Sequence, residues 1–191
     1  MVDFVMVPGL HGSGPGHWQT LWEPMLSASR VVQHDWSTPA LDQWADAVAR
    51  HLESRRRPAV LIAHSLGCLA VASAWSRIRH QVGAVLFAAP ANPHLFGFQP
   101  IQQRIEAPSL LLASRNDHWL AFEDAQQLAV LWGSELVDLG PVGHINIASG
   151  HGGWPEGHRL LGRLLDRAGL PCPPILNSDG SDGTRRAAGC V

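Results

Sequence analysis

The sequence predicts an α/β fold, a doubly wound and mainly parallel sheet of about six strands flanked by helices. Three observations predict it. Short apolar runs alternate along the chain with longer amphipathic stretches, the order that builds strand–helix–strand units. The runs are nearly continuous in hydrophobicity, as in strands buried on both faces. A chain of 191 residues with 46% hydrophobic content suffices for one packed domain and not for two.

The elements follow in order. Phe4–Val7 reads as the first strand. His17–Leu26 carries Trp18, Leu21, Trp22 and Met25 on one helical face. Val31–Gln33 reads as the second strand. Leu41–Leu52 is a helix with Leu41, Trp44, Ala45, Val48 and Leu52 aligned, and this spacing predicts that Trp18, Trp22 and Trp44 are core residues. Ala59–Ala63 is a strand that runs straight into a helix at Leu66–Ile78. Gly83–Ala88, Ser109–Ala113 and Glu135–Leu139 complete the strands, and Phe122–Leu131 and Glu156–Ala168 the helices. The segment of about twenty residues between Ala88 and Ser109 is too short for a lid domain and predicts a single helix around Gln99–Ile105. The folded domain is expected over residues 1–169. Residues 170–191, with Pro171, Pro173, Pro174 and an Asn-Ser-Asp-Gly-Ser-Asp-Gly stretch, offer little apolar surface and are expected to be a disordered tail.

Composition removes several function classes. The formal net charge is −2, and the one basic run, Arg55-Arg56-Arg57, suits a helix end, so nucleic-acid binding has no electrostatic support. No apolar stretch approaches the ~20 residues of a membrane span, and the start of the chain lacks the charged and apolar regions of a signal peptide. Three cysteines without a C-x-x-C pair fit a reducing compartment, and the expected location is cytoplasmic. No protein partner is supported.

The most informative segment is Ala59-Val-Leu-Ile-Ala-His-Ser-Leu-Gly-Cys-Leu-Ala. A strand stops at His64, Ser65 follows, and a helical pattern begins at once. This is close to the G-x-S-x-G nucleophile turn, with Ala63 in the first glycine's place. The direct strand-to-helix turn strains the serine backbone and demands small flanking residues. It projects the hydroxyl from the sheet edge, with the Leu66 amide at the helix start ready to donate to an oxyanion.

A serine hydroxyl needs a base to remove its proton, and in this architecture the acid and then the base follow the serine in the chain. Asp117 lies in the loop past the strand ending near Ala113 and is the preferred acid. Asp138, inside or at the end of the last strand, is its rival. His144 lies in a Gly/Pro-rich loop past that strand and is the preferred base among eleven histidines. His151 is the runner-up, His158 falls on a helix, and His64 reads as a structural histidine.

The first loop, Pro8 to Trp18, is rich in glycine and predicts a second oxyanion donor. The Leu10 N–H is preferred, with Gly12 or Ser13 as alternates. His11, Trp36 and Trp119 are the substrate-pocket candidates. No cofactor is expected: G-x-x-x-x-G-K-[ST] is absent, and G-x-G-x-x-G fails because His17 stands in its last place. No metal is expected either. A metal site using His11, His17, His144 or His151 would lack H-E-x-x-H or similar ligand spacing.

With these residues in place the chain resembles a family, the small single-domain serine hydrolases related to retinoblastoma-binding serine hydrolase and to bacterial YdeN-type proteins. The matching segments are residues 7–19, 63–68, Ser-Arg-Asn-Asp at 114–117, Gly-His-Ile-Asn at 143–146 and Ser-Gly-His-Gly-Gly-Trp at 149–154. The resemblance implies a minimal α/β-hydrolase fold without a lid domain, a Ser65–Asp117–His144 triad, and hydrolysis of small acyl substrates (esters, with thioesters or amides as variants). It also implies an alternative, a non-catalytic binding module on the same scaffold. The Leu-x-Cys-x-Glu peptide expected for retinoblastoma-type partners is absent.

Overall fold

The computed structural model describes residues 2–53 and 55–176. Six strands form one sheet: β1 (Asp3–Val7), β2 (Ser29–Arg30), β3 (Ala59–Ser65), β4 (Val82–Pro90), β5 (Ser109–Ala113) and β6 (Glu135–Asp138). Their order across the sheet is β2-β1-β3-β4-β5-β6, and all pair in parallel. Five helices connect them: α1 (Trp18–Leu26), α2 (Leu41–Glu53), α3 (Leu66–Ile78), α4 (Phe122–Trp132) and α5 (Pro155–Arg167).

Why the strands read as continuous apolar runs is visible in the core. Side chains alternate between two faces, and both faces are covered. On one, Val5, Leu61, Phe87 and Leu111 pack with Trp44, Leu69, Trp75 and Trp132 from α2, α3 and α4. On the other, Met6, Ile62, Leu86 and Leu112 pack with Trp18, Trp22 and Leu161 from α1 and α5. Trp18, Trp22 and Trp44 are all buried, as their spacing predicts.

Three expectations need correction. The second strand is Ser29–Arg30, not Val31–Gln33. Val31 N–H still bonds the Met6 carbonyl at 2.9 Å, but pairing then ends. Val31 is apolar because it is buried there, while Val32 is 70% exposed. No helix forms at Gln99–Ile105. Trp132, at the end of α4, takes up backbone groups of that segment: its carbonyl accepts the Ile105 N–H at 2.7 Å and its indole donates to the Ile101 carbonyl at 3.2 Å. A short 3-10 turn at Pro93–Phe96, capped by Asn92, provides the helical geometry of the region instead. Finally, residues 170–176 are not a loose tail. Leu170 and Cys172 pack on the α1–α5 side of the core, and Leu176 is buried there. The rest of the expected tail, 177–191, lies outside the described residues. Among those described, no helix is long and apolar enough to cross a membrane.

Parallel strands bring their carboxyl ends to one edge. Ser65 ends β3, Asp117 follows β5 and His144 follows β6, so the topology carries all three to that edge.

Candidate active site

Ser65 sits between β3 and α3 with φ 55° and ψ −124°, a strained backbone conformation for a residue with a side chain. The bend is enforced by how closely the chain passes the end of β1. A Cβ at Gly67 would lie 2.3 Å from the Val7 carbonyl oxygen and 2.6 Å from that of Pro8, and one at Gly9 would lie 2.7 Å from the Ser65 Cβ. Glycine at 67 therefore lets the helix start against β1, and glycine at 9 lets the first loop lie on the serine.

Three side chains meet at the bend. The Ser65 Oγ lies 2.9 Å from His144 Nε2, and His144 Nδ1 lies 2.8 Å from Asp117 Oδ2. With its Nδ1–H donated to the carboxylate, the ring offers Nε2 as an acceptor to the serine hydroxyl. The other carboxylate oxygen, Oδ1, accepts the Trp119 N–H at 2.9 Å. The His144 and Asp117 side chains are only 6% and 3% exposed, so this charge-assisted bond is shielded from water.

The rivals are engaged elsewhere. Asp138 Oδ2 accepts two bonds from the Arg115 guanidinium, at 2.8 and 2.6 Å, and the pair lies at the surface. His151 is drawn to the Ser149 Oγ at 3.1 Å, and the His158 ring packs tilted against Trp22. His64 is a buried strut: its Nε2–H donates to the His144 carbonyl at 2.9 Å. Burial holds the His64 pKa well below the ordinary histidine range, with the neighbouring His144 and His17 adding to the shift. Neutral and fixed, it supports the loop that carries His144.

In the first loop two of the three candidate amides separate on their partners. The Gly12 N–H bonds the Gly9 carbonyl at 2.9 Å, whereas among the described residues the Leu10 N–H has no partner. Leu10 also lines the cavity at Ser65, and Ser13 does not. This cavity measures about 390 Å³ and includes His11 and Trp119 in its wall. Trp36 is not in that wall. It stands behind the loop instead, its carbonyl accepting the His11 N–H at 2.8 Å and its ring packing on Gly12 and Trp44. Proximity in sequence to the catalytic edge did not reveal which side of the loop Trp36 takes.

Sequence reasoning missed the braces between loops. Asn116 Oδ1 accepts the Gly143 N–H at 2.7 Å, and the Ser114 Oγ accepts the Val142 N–H at 3.0 Å. These two bonds tie the loop of Asp117 to the loop of His144. Trp18 donates its indole N–H to the Ile145 carbonyl at 2.9 Å, fixing a buried residue with φ 49°. The motif segments at 114–117 and 143–146 contain Ser114, Asn116, Gly143 and Ile145, but sequence spacing carries no sign of the bonds they make. Phe96, Asn146 and Ile147 also line the cavity without having been anticipated. Among the described residues, no three histidine, cysteine or carboxylate side chains are grouped as a metal ion requires.

A doubly wound parallel sheet with a serine at the strained end of a central strand defines an α/β-hydrolase-type protein. The serine hydrolase family model matches residues 4–163, and the chain belongs to that family. It is similar to a YdeN-like hydrolase of Pectobacterium atrosepticum, at 36% identity over 90% of this chain and 94% of that one, with a TM-score of 0.83. The ydeN gene product of B. subtilis shares the fold at 20% identity and a TM-score of 0.72, over 87% of this chain and 100% of its own. Esterase 2 of Thermogutta terrifontis does so at 14% identity and a TM-score of 0.58, over 90% of this chain and 84% of its own. Comparison with curated proteins gives no match. The protein is a hydrolytic enzyme.

Proposed function

We propose that the enzyme hydrolyses small ester-type acyl substrates through a covalent acyl-enzyme, with Ser65 as nucleophile, His144 as general base and acid, and Asp117 as the group that orients His144. The observation that carries this reading is the unbroken chain from Ser65 Oγ to His144 Nε2 at 2.9 Å and from His144 Nδ1 to Asp117 Oδ2 at 2.8 Å.

The Ser65 oxygen attacks the substrate carbonyl carbon as its proton passes to His144 Nε2. The carbonyl oxygen becomes an oxyanion and receives hydrogen bonds from the Leu66 and Leu10 amides. Asp117 stabilises the imidazolium and holds its tautomer. The intermediate collapses, the bond to the leaving oxygen breaks, and His144 gives its proton to the alcohol. Water then attacks the acyl-Ser65 ester with His144 again as base, which releases the acid and restores the hydroxyl. An alcohol leaving group fits the open cavity; thioesters and amides would follow the same route with a sulfur or nitrogen leaving atom.

The test is active-site labelling. A fluorophosphonate probe is expected to modify Ser65, and Ser65→Ala to abolish both labelling and turnover of p-nitrophenyl acetate. Folded wild-type protein that neither takes the probe nor turns over any ester would overturn the proposal.

A further inference from the structure

One wall of the cavity beside Ser65 has no part in that mechanism. His17 caps the start of α1, where its Nδ1 accepts the Gln19 backbone N–H at 3.2 Å. A ring nitrogen that accepts carries no proton, so the neutral imidazole holds its hydrogen on Nε2. Burial, with the Arg30 charge second, lowers the His17 pKa to about 4, which keeps the ring neutral at pH 7. Among the described residues no protein group takes the Nε2–H, and the atom is not one of the fully buried unpartnered nitrogens. The atom therefore keeps some exposure, and His17 forms part of the cavity wall. Once a bound substrate displaces water from the cavity, a donor there loses free energy unless the substrate accepts from it.

The surroundings say what would accept. None of the residues lining the cavity is an aspartate, glutamate, lysine or arginine, so a charged substrate group would find no counter-ion there. The two ends of the cavity also differ. The leaving group departs past His144, which protonates it, and the Trp119 ring borders His144 at 6.0 Å. His17 lies beyond His64, with its ring 4.9 Å from that of His64, which in turn is 5.0 Å from His144. It belongs to the same loop as Leu10.

We propose that His17 is a specificity-determining residue whose Nε2–H donates to an oxygen on an uncharged acyl group. The enzyme would then prefer short acyl chains that carry an ether, hydroxyl or carbonyl oxygen to aliphatic chains of the same size. This rests on the Ser65 reading above.

The experiment compares p-nitrophenyl methoxyacetate with p-nitrophenyl butyrate, near-isosteric esters in which an ether oxygen replaces a methylene. The readout is the ratio of their kcat/KM values in wild type and in His17→Asn. Asparagine keeps a strong helix cap through its side-chain oxygen but is too short to place a donor at the Nε2 position. The ratio between enzymes cancels the intrinsic reactivity of each ester. The methoxyacetate preference is expected to fall on the order of tenfold in His17→Asn, the worth of about one hydrogen bond. An unchanged ratio, or equal losses on both esters, would overturn the assignment, because a cap with only a structural role affects both substrates alike. If His17→Asn does not fold, His17→Ser, another capping residue, decides on the same criteria. Ser65→Ala separates the two proposals. Full loss of turnover with an unmoved ratio defeats the His17 assignment alone, and retained turnover defeats both.

Discussion

Asp117 and Asp138 are separated by what each carboxylate faces. Asp117 is buried against His144 Nδ1, whereas Asp138 spends its charge on Arg115 at the surface. Asp117→Asn is expected to lower kcat by about 10⁴-fold, since an amide no longer fixes the required tautomer. Asp138→Asn is expected to leave kcat unchanged and to shift stability by less than about 1 kcal/mol. Ester kinetics and urea denaturation of both variants check this pair. The loop braces form a second case. Asn116→Ala removes the acceptor of the Gly143 N–H, next to His144, and is expected to destabilise the fold by about 0.5–1.5 kcal/mol, since the bond lies at the surface, and to lower kcat with little change in KM, because it disturbs the placement of His144 and not the cavity wall. Equal kcat in the two proteins would show that the brace is dispensable. The candidate residues were legible in the sequence because each stands at or past a strand end: Ser65 between Ala63 and Gly67 at the end of β3, Asp117 in the loop past β5, and His144 in a Gly/Pro-rich loop past β6. Ser114, Asn116 and Trp18 were not, since their roles are bonds between segments far apart in the chain.

At the scale of elements, the turn between β3 and α3 depends on the absence of atoms. Gly67→Ala would put a methyl 2.3 Å from the Val7 carbonyl oxygen, a distance that only movement of backbone can relieve. Overpacking of this kind costs about 1–3 kcal/mol or more, so the variant is expected to lose several degrees in Tm. A thermal melt equal to wild type would mean that β1 and α3 are not held as close as they stand here. The strand–turn–helix unit was legible because an apolar β-rich run stops abruptly at a serine. The Gln99–Ile105 segment misled for a physical reason. Its isoleucines have near-helical spacing, but backbone groups that a helix would bond internally are bonded by Trp132. The edge strand misled similarly: β2 pairs only at Ser29 and Arg30, and burial of Val31 beyond that pairing is what makes the following residues look strand-like.

For the whole molecule, the doubly covered sheet that made the fold legible also buries titratable rings. His64 and His17 lie among the aromatic side chains of α1, and burial is the first cause of the lowered pKa in both. His51, His151 and His158 shift in the same direction, again chiefly through burial. His17 and His64 are neutral in the folded protein at pH 6, and the other three bind protons less readily there than in an unfolded chain, which begins to protonate its histidines near pH 6.5. The unfolded state therefore binds more protons than the native state between about pH 6.5 and the lowered native values, and stability rises with pH across that window. Above pH 6.5 both states are neutral at these positions and the effect vanishes; for His17 the loss ends below about pH 4, where its folded form is protonated too. Each such ring contributes up to about 1.4 kcal/mol per pH unit. Urea denaturation is thus expected to show a marked loss of stability from pH 7 to pH 5, where the acidic side chains remain largely ionised, and a shallower slope in His17→Asn by up to one proton. Stability that stays level or increases as the pH falls over this interval would mean that the buried rings already carry their protons in the folded enzyme.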